Sequence, residues 1–187
     1  MRLAFRMKPD SVAGRVVKLF TGAPTHVEPV FSDGTAFVAR LGRPCGFAPP
    51  GEYPEPHWRV LDLAPLHLDE ARIRTHCDAL CGSVYDTPRA LFGWWLGVDT
   101  VGRVICSEVS AESMAAAITD RTPEGVHRGL AQLVARPSTT PRRLLVAVEA
   151  LLEVALEAQG VTLLRGQAYA PPTNPKRVTP EWLKERR

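Results

Sequence analysis

The chain has 187 residues, of which 45% are hydrophobic and 23% charged, with four cysteines and a formal net charge of +3. That length supports one full core rather than two independent domains, and that composition excludes gross disorder. The charge is uneven: the last twelve residues, KRVTPEWLKERR, hold five Lys or Arg against two Glu, so the body is neutral and carries no strong signal for nucleic acid.

The first residues, MRLAFRMKPDS, hold no apolar run long enough for a signal peptide, and no window nears the roughly 18 consecutive apolar residues of a membrane span. The expectation is a product made in the cytoplasm. KPDSVAGRVVKLFTG predicts a short helix, capped by Asp10 or Ser11, with Val12, Val16, Val17 and Phe20 on one face and Gly22 as its stop. HVEPVFSDGTAFVAR predicts a β-hairpin turning at SDG. On its first strand His26, Glu28 and Val30 share one face, while Val27 and Phe31 share the other. Pro29 cannot donate to a ladder, which predicts an edge strand or a bulge there.

LGRPCGFAPPGEYPEP predicts a long irregular loop of the kind that often carries function. HWRVLDLAPL predicts a third strand. HLDEARIRTHCDALCGS predicts an amphipathic helix ending at Gly82, with Leu68, Ala71, Ile73, Cys77 and Leu80 facing inward. VYDTPRALFGWWLG contains a candidate helix begun by Asp86 and Pro88. GRVICSEVSAESMAAAI joins a short β-branched segment to a helix headed by Cys106 and running to about Thr119. RTPEGVHRGLAQLVARPSTTP predicts a short helix, and PRRLLVAVEALLEVALEAQG a longer one capped by Thr140 and ended by Gly160, apolar on nearly all sides. VTLLRGQAYA is a candidate last strand. Residues 1–120 are expected to form the main domain, 121–170 a helical extension packed on it, and 171–187 a basic, Pro-rich tail.

The chemistry concentrates at Cys106. A cysteine at the first position of a helix meets the unpaired N–H groups and the positive end of the helix dipole, which favour thiolate over thiol. Of the five histidines, His26 alone has a carboxylate two residues away on the same strand face, that of Glu28. Cys45, Cys77, Cys81 and Cys106 show no framework spacing, so reduced thiols are expected. His76, Cys77 and Cys81 lie in a helical pattern without a fourth ligand, and no metal or cofactor is expected.

THVEPVFSDG, then HWRVLDL, then VYDTPRALFGWWLG and finally VICSEVSAESM resemble, in that order, the permuted papain-fold group related to NlpC-type peptidases, including YiiX-like proteins and a branch common in tailed-phage genomes. The resemblance covers roughly residues 10 to 118. It implies an α+β fold in which an antiparallel sheet packs against a helix headed by the nucleophile, with the helical C-terminal extension added. It makes Cys106 the nucleophile, His26 the general base and Glu28 the third member. Relatives often place that third group on the next strand, but here TAFVAR offers only Thr35 and Arg40. The resemblance further sets Tyr85 beside the oxyanion, with the Cys106 N–H as main donor and Ser107 as an orienting neighbour. Asp86 and Glu108 fall in supporting places. Thr25 stands where serine is usual, and Pro29, standing for an apolar residue, is a position from which Glu28 could be tilted away from His26.

The activity implied is a cysteine amidase or endopeptidase that cleaves peptide amides, those of peptidoglycan stem peptides first among them, through a thioacyl-enzyme. Two alternatives accompany it. One is the same chemistry on an acyl or lipid substrate, as in lecithin retinol acyltransferase relatives, with Leu91, Phe92, Trp94 and Trp95 lining an apolar pocket. The other is a virion-associated or assembly protein that meets its partner through residues 121–187.

Overall fold

Alternation along the first strand sets the layers of the molecule. In β1 (Arg2–Arg6) Leu3 and Phe5 point to one side and Ala4 to the other, and every strand laid beside it inherits that division. The computed structural model describes residues 1–9, 11–40, 42–86, 103–135 and 139–161. Its strands β2 (His26–Val30), β3 (Ala36–Val38), β4 (Gly46–Ala48) and β5 (Trp58–Asp62) join β1 in an antiparallel sheet of order β4-β3-β2-β1-β5. One face gathers Leu3, Phe5, Val27, Phe31, Phe37 and Leu61 into the main core. The opposite face gathers Ala4, Val30, Ala36, Val38 and Trp58, covered by Tyr53 from the loop after β4.

The protein is thus α+β. Helix α1 (Val12–Thr21) is capped by the Ser11 hydroxyl, which accepts the Gly14 N–H at 3.1 Å, and it ends at Gly22. The hairpin between β2 and β3 closes where Gly34, at φ 87°, takes a conformation that favours glycine. There Phe31 N–H reaches Thr35 O at 2.8 Å and the Asp33 carboxylate accepts the Thr35 N–H at 2.9 Å. Helix α2 (Glu70–Ala79) is capped by Asp69 and buries Ile73 and Cys77. Leu68 and Leu80 pack against the core as expected, but Ala71 is exposed.

The sheet departs from the sequence reading, for β4 lies within the stretch expected to be an irregular loop, and two further strands differ. The amino-terminal segment, read only for targeting signals, is the strand that joins β2 to β5. And β2 is an interior strand in spite of Pro29. The proline stands opposite Leu3, and antiparallel positions alternate between bonded and unbonded pairs, so a residue without an N–H fits an unbonded one. On its other side β2 meets β3 only at Val30 and Ala36, and the ladder stops where Pro29, next beyond the Phe31 N–H to Thr35 O bond, has no N–H to donate.

A separate parallel pair, β6 (Val84–Tyr85) with β7 (Arg103–Val104), delivers the chain to α3 (Cys106–Ala116). Small residues make α3 a helix that can be enclosed: Ser107, Val109, Ser110, Ala111, Ser113 and Met114 are all buried. The hydroxyls of Ser110 and Ser113 are satisfied within the helix, at the carbonyls of Cys106 (2.9 Å) and Ser110 (3.1 Å). Helices α4 (Glu124–Val134) and α5 (Pro141–Ala158) pack on α3 and on each other. Val126, Leu130, Leu144, Val148 and Leu152 extend the same buried cluster that begins at Leu3. Burial of each such side chain is worth about 1.5–3 kcal/mol. The candidate helix at VYDTPRALFGWWLG beyond Asp86, with its Trp94 and Trp95, the strand at VTLLRGQAYA beyond Val161 and the basic tail lie outside the described residues. Among those described, no helix is long and apolar enough to cross a membrane.

Candidate active site

The first turn of α3 puts Cys106 against β2. The preceding residue, Ile105, is extended and offers no side-chain cap, so the sulfur shares the amino end of α3 with no competing side-chain acceptor from the cap position. Three groups converge on it. The His26 ring and the Val27 N–H both act on the sulfur and favour its charged form, and the Tyr85 hydroxyl stands at 4.0 Å. The Val27 contact follows from the ladder: two residues before Pro29, Val27 shares its orientation and turns its N–H away from β1.

His26 is buried and uses Nε2 to meet Glu28 Oε1 at 3.0 Å. The single intervening residue, Val27, is what makes this possible, since alternate residues of a strand share a face. Pro29 therefore does not tilt Glu28 away. Glu28 is only 2% exposed, and a carboxylate so buried requires partners. It has two besides His26: the Arg40 guanidinium, bonded to the same Oε1, and the Tyr53 hydroxyl, 3.3 Å from Oε2.

These contacts decide the charges. Burial alone would lower the basicity of His26, but the thiolate of Cys106 and the carboxylate of Glu28 overcome it and raise its pKa to about 9. Burial alone would raise the Cys106 thiol, and the facing imidazolium, the Val27 N–H and Tyr85 bring it below the ordinary thiol value instead. Glu28 behaves alike: burial opposes its charge, while His26 and Arg40 hold it below the usual carboxylate range. Burial pushes Tyr53 up to about 12, with Glu28 adding to the effect, so it stays a donor. Cys106 contrasts with its neighbours, for burial pushes Cys77 up to about 12 and Cys45 upward as well. Both shifts act in one direction, toward a thiolate facing an imidazolium, the pairing a nucleophilic cysteine uses.

Of the residues the sequence singles out, Cys106, His26, Glu28 and Tyr85 come together. Ser107 does not join them through its side chain: its hydroxyl is buried and donates to the Thr139 carbonyl, fastening α3 to the approach of α5. Asp86 is fully buried, and its N–H bonds Val104 O at 2.9 Å, continuing the β6–β7 pair. Glu108 lies in the first turn of α3, close enough to Tyr85 to oppose its ionisation, although burial and the Cys106 thiolate oppose it more. Arg40 and Tyr53 are the site residues that sequence reasoning missed. Arg40 was visible just beyond β3 as a polar residue, but Tyr53 sits in an irregular loop where no periodicity aims it. Among the described residues, no group of three or more His, Cys, Asp or Glu could hold a metal ion.

No protein-family model, no curated protein and no solved structure matches the chain.

Proposed function

We propose that the protein is a cysteine hydrolase of permuted papain-like, NlpC-type architecture that cleaves amide bonds through a thioacyl-enzyme. The observation that carries this reading is the buried chain Cys106, His26, Glu28, set at the amino end of an enclosed helix. The strand that bears the histidine precedes the helix that bears the cysteine, the reverse of papain's order, as the permuted group requires. Nε2 is occupied by Glu28, so Nδ1 is the nitrogen for the sulfur.

The thiolate attacks the carbonyl carbon of a bound amide. The developing oxyanion is met by the N–H of Cys106 and by the Tyr85 hydroxyl, a donor that burial keeps protonated well above its ordinary range. The His26 imidazolium gives its proton to the leaving nitrogen as the carbon–nitrogen bond breaks. The neutral ring then takes a proton from water, whose oxygen attacks the thioester; the acid leaves and the thiolate and imidazolium are restored. Because the His26 imidazolium persists to about pH 9, turnover is expected to fall on the alkaline side near that value as the leaving nitrogen loses its acid.

The substrate we propose is the stem peptide of bacterial peptidoglycan. Purified peptidoglycan incubated with the protein is expected to release new amino groups, counted by an amine-reactive dye, and Cys106→Ala is expected to lower that release by roughly 10⁴-fold or more. Equal release by the two proteins contradicts the hydrolase reading.

A further inference from the structure

We propose that Arg40 is a positioning residue of this site, a clamp that keeps the Glu28 carboxylate charged and aligned with the His26 ring so that the ring stays an imidazolium against Cys106. The proposal deepens the thiolate and imidazolium reading above and rests on it.

A carboxylate beside an imidazolium has two choices, to hold the proton across the hydrogen bond or to take it. In water the first wins easily, but Glu28 is nearly out of water, and there desolvation favours the neutral acid. Arg40 decides the choice. Its guanidinium bonds Oε1, the same oxygen that faces His26 Nε2, so a proton arriving at that oxygen would lose a charged hydrogen bond. Tyr53 holds Oε2 from the other side and removes the freedom of the carboxylate to turn. A further charged neighbour among the described residues is Arg6 of β1, which lies opposite His26 in the ladder, is opposed by the like charge of Arg40 and supports the negative charge of Glu28 at longer range. On the far side of the ring are Cys106 and, next to the sulfur, Tyr85 and Cys45.

The clamp also has a direction. Glu28 and His26 are buried, whereas the Arg40 side chain is 34% exposed. The charged series Cys106, His26, Glu28, Arg40 therefore runs from the enclosed sulfur out to solvent. Arg40, partly open to solvent, can supply a positive charge to the buried carboxylate at a smaller desolvation cost than a fully buried partner would carry. Tyr53, neutral and half-buried, cannot do this and contributes alignment alone.

The test is the rate of iodoacetamide alkylation at Cys106, mapped by mass spectrometry over pH 4 to 9, in the full chain and in Arg40→Ala, Arg40→Gln, Arg40→Lys and Tyr53→Phe, with thermal melting alongside. Loss of the positive charge is expected to move the rising limb of the Cys106 profile up by about one pH unit, tenfold in rate on that limb. Arg40→Gln, which keeps length and an amide donor, is expected to shift it as Arg40→Ala does, and Arg40→Lys to restore most of it. Tyr53→Phe should move it less. Profiles of Arg40→Ala or Arg40→Gln that superimpose on the unaltered chain, or a shift that Arg40→Lys does not recover, overturn the role of Arg40 while leaving the Cys106 and His26 pair standing. If the unaltered chain itself shows an ordinary thiol profile, the pair and the clamp fall together.

Discussion

Three cysteines of one chain behave differently because of what faces them. Cys77 and Cys45 sit among apolar groups and burial pushes both thiols up, whereas Cys106 meets an imidazole, a backbone N–H and a phenol and is pulled down. Glu28 shows the same rule for a carboxylate. Its folded pKa lies below the ordinary value, so its contribution to stability is complete above about pH 4.5 and is lost as the pH falls through the lower folded value. Melting temperature should therefore drop more steeply between pH 5 and pH 3 in the unaltered chain than in Glu28→Gln; parallel curves contradict a depressed Glu28. Cys106, His26 and Glu28 were legible in the sequence because each depends on local spacing, a helix start or a two-residue step along a strand. Arg40 and Tyr53 were not, because they reach Glu28 from twelve and twenty-five residues away, and nothing local aims a side chain across such a distance.

Among the elements, the helices and the hairpin follow from caps, turns and periodicity, and the sequence shows them. Strand β1 does not announce itself. It has three apolar residues between two arginines, and only its pairing with β2 and β5 makes it a strand. The short β4 and the β6–β7 pair were hidden in the same way, since two or three residues carry no period. The packing of α4 on α5 rests on missing side chains: a Cβ on Gly129 would fall 2.4 Å from Leu151 Cδ2, and one on Gly125 2.6 Å from Val154 Cγ1. Alanine is the better helix former by about 1 kcal/mol, yet overpacking costs about 1–3 kcal/mol. Gly129→Ala is expected to destabilise the chain by about 1 kcal/mol in urea unfolding, because Leu151 is buried and has little room to move. A stabilised variant would show that the two helices part freely.

At the scale of the whole molecule, one buried cluster runs from Leu3 in the sheet through Cys77 and Met114 to Leu152 in α5. The site lies where strand β2 and helix α3 meet beside that cluster. Strand β2 presents His26 and Glu28, and α3 presents Cys106, with α3 itself fixed to the approach of α5 through Ser107 and Thr139. The outer helix is also tied to the sheet end of the molecule, by the Arg59–Glu149 ion pair and by Gln159, whose side chain donates to Pro65 O at 2.9 Å. A chain ending at Asp120 would uncover Val109, Met114 and their neighbours. It is expected to be unfolded or aggregated by circular dichroism and light scattering, and a soluble, cooperatively melting product would contradict the shared core. Cys106 is expected to be a thiolate because His26 faces it. The most direct measurement is the pH dependence of iodoacetamide alkylation at each cysteine, in the unaltered chain and in His26→Ala. Rapid reaction of Cys106 below pH 7, absent at Cys45 and Cys77 and lost with His26, is the predicted result. A Cys106 that is inert, or that titrates as an ordinary thiol with or without His26, contradicts it.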